Sequence, residues 1–156
     1  MTDTVSTDEN ISEPDSIPAR WRAEVEVAVP FYDVDSMQVV WHGQYVKYLE
    51  DARCRLLEEL GCSYDHMAAS GYMWPVVDMR IKYVKPARFK QKLRVIATIV
   101  EWQVRLKIDY RILDAATDDL LTKGYSIQVA VDMSTREMCF ATPDVFRQKL
   151  GVIECD

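Results

Sequence analysis

From Arg20 to Val29 apolar and polar residues alternate, with Trp21, Ala23, Val25, Val27 and Val29 on one face and Arg22, Glu24 and Glu26 on the other. That period of two predicts a half-buried strand, ended by Pro30. The period then changes. Between Gly43 and Leu60 the residues Tyr45, Leu49, Ala52, Leu56 and Leu60 recur at helical spacing, forming one apolar stripe that Val46, Tyr48 and Leu57 widen. Gly61 supplies a residue suited to the left-handed position that closes a helix. After a short helical turn at Ser63 to Ala69 the pattern becomes strand-like over Met73 to Val84, Leu93 to Trp102, Arg105 to Asp114, Leu120 to Asp132 and Glu137 to Ala141. Turn signals at Lys85-Pro86-Ala87, residues 114 to 118 and Met133-Ser134-Thr135 separate these runs. Thr142-Pro143 reads as an N-cap followed by proline at the first helical position, opening a last helix that runs to Leu150.

The order is strand, long helix, five strands, short helix, with no internal repeat. It predicts an α+β fold in which a curved antiparallel sheet wraps one long central helix. One sheet layer on one helix leaves edge strands and a sheet face to be covered, so the chain is expected to self-associate.

Composition narrows the class. The 156 residues suit one domain and, at 49% hydrophobic and 28% charged, can bury a core. Residues 1 to 18 contain five acids, no base and few large apolar groups; they are expected to be a disordered acidic tail ahead of a domain spanning 19 to 152, dispensable for activity. No apolar run approaches the length of a membrane span, and no secretory signal is visible, so a cytoplasmic protein without a membrane span is expected. Cys54, Cys62, Cys139 and Cys155 are widely spaced, and the histidines are only two, His42 and His66. The expectation is four reduced cysteines packed as small hydrophobes and no metal site. The net charge of -6 is misleading: residues 79 to 100 carry seven bases (Arg80, Lys82, Lys85, Arg88, Lys90, Lys92, Arg94) and no acid. No nucleic-acid-binding motif accompanies them.

The connection Tyr32 to Tyr45 mixes acids with large apolar groups just before the long helix. Free N–H groups at a helix N-terminus, together with its dipole, stabilise an oxyanion on a substrate carbonyl. A carboxylate held nearby can attack that carbonyl or activate a water against it. This is an acyl-transfer site in outline.

The pattern Tyr32-Asp33-x-Asp35-x-x-x-Val39-Val40-Trp41-His42-x-x-Tyr45, followed by Tyr48-Leu49-Glu50-x-Ala52-Arg53 and Tyr83-x-x-Pro86-Ala87-Arg88, resembles the 4-hydroxybenzoyl-CoA thioesterase-like branch of hotdog-fold acyl-CoA thioesterases. The resemblance runs in register from about Glu24 to Phe89. It implies a hotdog fold, at least a homodimer with a tetramer open, and hydrolysis of an acyl-CoA to CoA and a free acid, with no cofactor beyond the coenzyme A of the substrate. It also implies that Asp35 is the catalytic carboxylate, as nucleophile or as general base, and that the backbone amide at His42 or Gly43 polarises the carbonyl. The chain departs from the family at Met37-Gln38, where many members have small residues; Met37 and Gln38 are therefore expected to reshape the acyl pocket.

Without the motif, Asp35 reads as a turn carboxylate. Asp33 is expected to be exposed or structural. The useful group at His42 is either its ring, as an acid or base, or its N–H. Trp41 and Tyr45 are candidates for the acyl pocket, as is Val77, while Glu50 and Arg53 read as a surface or inter-subunit ion pair. Lys85 and Arg88 are the first candidates for CoA phosphates, and Arg105 a further one. Two other functions fit the same fold: a dehydratase on hydroxyacyl thioesters, which needs a histidine paired with an acid, and a non-catalytic acyl-CoA-binding protein.

Overall fold

The computed structural model describes residues 17–154. The expected tail, apart from residues 17 and 18, and Cys155 lie outside the described residues. Strand β1 (Arg22–Ala28) carries the alternation read from the sequence and pairs antiparallel with β4 (Lys92–Glu101). The chain then passes through a 3-10 turn, Phe31–Asp33, and a second, His42–Gln44, into α1 (Tyr45–Glu59). Its end is sealed by Gly61 at φ 76°: Gly61 N–H donates to the Glu58 carbonyl and Cys62 N–H to that of Leu57.

A short α2 (Tyr64–Ala69) follows, capped by the Ser63 hydroxyl, which accepts from His66 N–H. Next come β2 (Tyr72–Met73), β3 (Val76–Tyr83), β4, β5 (Leu106–Asp114), β6 (Leu120–Gln128), β7 (Val131–Asp132) and α3 (Asp144–Leu150). The main sheet has the order β1-β4-β5-β6-β3, every pairing antiparallel, and β2 pairs with β7. The helix α1 lies against β1 and β4. This is the hotdog arrangement, a sheet around one long helix with a short C-terminal helix.

Leu49, Ala52 and Leu56 of α1 are buried with Val95, Ala97 and Ile99 of β4 and Ile108 and Ile112 of β5. Each fully buried leucine contributes about 1.5–3 kcal/mol, so this stripe fixes the helix against the sheet. Val46 does not join it and is exposed.

Four expectations about elements are corrected. The strand expected over Met73 to Val84 is two strands, because Pro75 has no N–H for a ladder. The strand expected over Leu120 to Asp132 breaks after Gln128: Val129 N–H turns to the Pro75 carbonyl and β7 joins the second sheet. Glu137 to Ala141 is not a strand; Met138 forms one isolated bridge with Val131, and Phe140 is exposed. At α3, Pro143 occupies the flanking cap position and Asp144 the first helical one, while the Thr142 hydroxyl is drawn off to the Trp102 carbonyl.

Arg53 also differs from expectation. It is paired with Glu50 at 3.4 Å, but it is not a surface residue: it is buried, donating to the hydroxyls of Tyr64 at 3.0 Å and Tyr110 at 3.3 Å. Helical phase explains this, since position 53 falls between the buried Leu49 and Leu57, one turn before and one turn after it on the same face. Cys54, Cys62 and Cys139 are free thiols, and burial pushes the Cys62 thiol up to about 11. No described helix is long and apolar enough to cross a membrane.

Candidate active site

The loop before α1 folds back on itself. Val34 and Val40 form an antiparallel bridge, Asp35 N–H donates to the Val39 carbonyl at 2.9 Å, and Gln38 N–H to the Asp35 carbonyl at 2.8 Å. The result is a tight hairpin whose three-residue tip, Ser36 to Gln38, needs a left-handed residue last. Gln38 fills that position at φ 64°. Glycine is the unstrained choice there, which gives the departure at Met37-Gln38 a physical meaning. Oδ1 of Asp35 accepts from Met37 N–H at 2.8 Å, fixing the carboxylate across the turn. Among the described residues Oδ2 has no partner.

The hairpin is tied to the β3–β4 turn: Val40 N–H donates to the Ala87 carbonyl at 2.8 Å, and Val39 bridges Arg88. Asp33, placed by sequence as exposed or structural, is structural and buried. Its Oδ2 accepts from the Tyr48 hydroxyl at 2.6 Å, and its carbonyl accepts from Trp41 N–H at 3.0 Å. Burial first, then this bond, pushes the Tyr48 phenol far above its ordinary value.

The cleft at this hairpin, about 220 Å³, is lined by Asp35, Met37, His42, Tyr45, Lys85 and, from β3, Tyr83, with Val39, Val40, Val84 and Pro86 completing the wall. It lies at the entry to α1. Gln44 N–H donates to the Trp41 carbonyl at 2.9 Å, but among the described residues neither His42 N–H nor Gly43 N–H finds an acceptor. The Trp41 indole lies directly over Gly43, where a Cβ would come within 2.3 Å of the ring. Only glycine lets the ring cover this turn. Tyr45, the first residue of α1, is buried; its hydroxyl accepts from Ala87 N–H at 3.1 Å, and its ring meets Tyr83 edge to face at 5.2 Å. Burial raises its phenol, and the nearby Tyr83 and Asp35 add to this against the Ala87 bond.

Five of the residues singled out from sequence, Asp35, Met37, His42, Tyr45 and Lys85, therefore share one cleft. Gln38 shapes the loop without lining it. Trp41 is half exposed and roofs Gly43, and the His42 ring packs against it at 5.1 Å. Val77 is exposed on β3 and does not line the cleft. Arg88 lies in an adjoining groove of about 620 Å³ that shares Lys85 and Pro86 with the cleft and carries Lys90, Asp114 and Asp119. Arg105 stands apart on the β4–β5 turn, bonded to Glu101 at 3.1 Å.

The basic run is divided in the same way. Arg94 is neutralised by Glu24 at 2.9 Å and Asp118 at 2.8 Å, and Lys85 faces Asp119 at 3.5 Å. Arg80 and Lys82 line a separate depression with Arg111 and Lys123. Among the described residues, the one Lys or Arg in the cleft is Lys85, brought there by the β3–β4 turn. Tyr83, part of the same motif, also lines the cleft; its signal in the sequence is the period-two phase it shares with Met79 and Ile81, which sets it on one face of β3.

A family model described as the thioesterase-like superfamily matches residues 29–150, which includes the Asp35 hairpin, α1 and every strand after β1. The chain belongs to the thioesterase-like superfamily. YneP of Bacillus subtilis, named as an acyl-CoA thioesterase, is 31% identical over 108 residues, covering 69% of this chain and 78% of that protein. YbgC of Escherichia coli, named as an acyl-CoA thioester hydrolase, is 30% identical over 107 residues, covering 68% and 79%. Among solved structures, Slr0204 of Synechocystis, a 1,4-dihydroxy-2-naphthoyl-CoA thioesterase, matches with a TM-score of 0.75 at 22% identity, covering 86% of this chain and 99% of that one. That last likeness is one of fold. Thioester hydrolysis is the reaction class of this superfamily member.

Proposed function

We propose that the chain hydrolyses an acyl-CoA thioester, with Asp35 as the catalytic carboxylate and the N-terminal turn of α1 as the group that polarises the thioester carbonyl. The observation that carries this reading is the cleft itself, where Asp35, with one carboxylate oxygen uncommitted, meets His42 at the helix entry, whose N–H has no acceptor among the described residues. The names of the two sequence relatives supply the acyl-CoA.

Two routes fit. Asp35 takes a proton from water, whose oxygen bonds to the carbonyl carbon; the oxyanion faces the His42 or Gly43 amide, then collapses, breaking the C–S bond, and the proton passes to the leaving thiolate. Alternatively a carboxylate oxygen of Asp35 attacks the carbon, CoA thiolate leaves, and water cleaves the resulting anhydride to free acid and carboxylate. Both end in CoA and an acid. Among the described residues the His42 ring bonds to no acid, which supports hydrolysis over a dehydratase that needs such a pair.

The adjoining groove, with Lys85, Arg88 and Lys90, suits the CoA phosphates as point charges and forked donors. The working unit is a homodimer. β3 is an edge strand of the main sheet, with Val76 and Val77 exposed, and a second copy paired along that edge covers both. Val77 then lies at the seam. Thiol release from benzoyl-, short-, medium- and long-chain acyl-CoA tests the reaction: saturable CoA release from at least one substrate is expected, and binding without release from any of them overturns hydrolysis.

A further inference from the structure

Ile108, Tyr110 and Ile112 of β5 point into the core, so Lys107, Asp109 and Arg111, which alternate with them, stand on the sheet face turned away from α1. On that face Lys82 of β3 lies directly opposite Lys123 of β6, and Lys123 directly opposite Arg111. Like charges facing each other across neighbouring strands destabilise the pairing. With Arg80 these three cations, all exposed, line a depression of about 410 Å³. The acid in it is Asp109, from the neighbouring row, across Tyr125 from Arg80. The row of three cations continues through Ile96 to Glu24, but Glu24 is already taken by Arg94 at 2.9 Å. Among the described residues Arg80, Lys82, Arg111 and Lys123 form no ion pair.

We infer that this face is the docking surface of the chain's own acidic N-terminal segment, residues 1–16.

Charge selects that occupant first. Residues 1–16 hold Asp3, Asp8, Glu9, Glu13 and Asp15 and no Lys or Arg, the carboxylates that the row lacks. Reach allows it. The described chain begins at residue 17 and enters β1 at Arg22, whose cross-strand partners run through Thr98, Asp109 and Tyr125 to Arg80, beside the row of three cations. Four strand spacings are about 19 Å, and sixteen extended residues span about 50 Å. A second copy stacked on this face would set the same cations against their equivalents, whereas an extended acidic segment can follow the row. The segment lies outside residues 29–150, which the family model matches, and its docking needs no part of the cleft. Exposed charges hold it, so it weakens with salt.

Four full-length chains test this: wild type, a chain with the five acids neutralised (Asp3→Asn, Asp8→Asn, Glu9→Gln, Glu13→Gln and Asp15→Asn), and Lys123→Gln in each background. With the acids gone, Lys123→Gln relieves repulsion from Lys82 and Arg111 and should raise Tm by about 1–4 °C at low salt. With the acids present it removes an attraction, and Tm should stay level or fall. In the 1H–15N spectrum, neutralising the acids should move the amides of Lys82, Arg111 and Lys123 at low salt, and the two spectra should converge there in about 0.5 M salt. An equal Tm response of Lys123→Gln in the two backgrounds, or amides that do not move, overturns the inference. Should Lys123→Gln fail to fold, Lys82→Gln takes its place with the same expected signs. Tripolyphosphate tests the other occupant, a small polyanion, at about 0.15 M salt, where acids more than about 8 Å from the face are screened. Half-saturation of the same amide shifts should need about threefold less probe, or lower still, in the neutralised chain, because the segment no longer competes. Equal half-saturation marks an anion site that the segment does not occupy and overturns the docking.

Discussion

Tyr48→Phe removes one oxygen from the bond that holds the loop ahead of the site. The Tyr48 ring stays where it is, buried in α1 and edge to face with Tyr45 at 6.1 Å, so no cavity term enters. What is lost is a 2.6 Å donor to Asp33 Oδ2, and Asp33 is only 5% exposed, leaving water little room to replace the phenol. A hydrogen bond to a charged group contributes about 1.5–3 kcal/mol. For a chain of this length that loss lowers Tm by about 3–12 °C. Urea denaturation should show a lower midpoint at unchanged slope, since the surface exposed on unfolding is the same. The pair with Asp33→Asn completes a double-mutant cycle, in which a coupling of about 1 kcal/mol or more is expected. Because the Asp33 carbonyl also receives Trp41 N–H, kcat should fall along with stability. A loss below about 0.5 kcal/mol, the range of an ordinary surface substitution, or zero coupling to Asp33, refutes the placement of this bond.

Gln38→Gly should stabilise the protein by a few tenths to about 1 kcal/mol, as relief of the left-handed conformation, about 1–2 kcal/mol, outweighs the entropy glycine adds to the unfolded chain; a lower Tm for the glycine variant contradicts this. Arg53→Met should cost about 2–4 kcal/mol by stripping a buried donor from Tyr64 and Tyr110. Glu50→Gln should cost under about 1 kcal/mol, and equal losses in the two variants would move the weight to the ion pair. Asp114 is held below its ordinary value of 3.8, first by Gln91 and then by the amides of Ala116 and Thr117. A depressed carboxylate adds stability that is present above the unfolded value and lost as pH falls through the folded one. Asp114→Asn should therefore be less stable than wild type at neutral pH, with the gap closing below about pH 3.8 in pH-dependent melts.

Much of this was legible from residue spacing. The stripe on α1 and the alternation of β1 are local patterns, and each repeats a buried phase often enough to fix an element. The Asp35 loop was legible as a motif, with Gln38 marked as the unusual residue. What escaped was tertiary. Arg53 looks like half of a surface pair because Glu50 stands one helical turn away, and nothing local says that two tyrosine hydroxyls wait across the core. Asp33 and Asp35 are the same residue type two positions apart, yet Tyr48 claims one and the cleft the other. Glu137 to Ala141 has strand-like composition, yet its pairing is one isolated bridge, Met138 to Val131. The charge run reads as one surface in sequence, whereas the turn at Pro86 sends part of it to the cleft and leaves Arg80 and Lys82 on another part of the sheet.

The claim at the centre is that the Asp35 carboxylate does chemistry and does not merely hold a turn. Asn keeps an acceptor oxygen for Met37 N–H, so Asp35→Asn preserves the hairpin while removing the charge. Steady-state thiol release by this variant, on whichever acyl-CoA the wild type turns over best, should show kcat reduced about a hundredfold or more with Tm unchanged. Turnover near the wild-type rate would contradict the account.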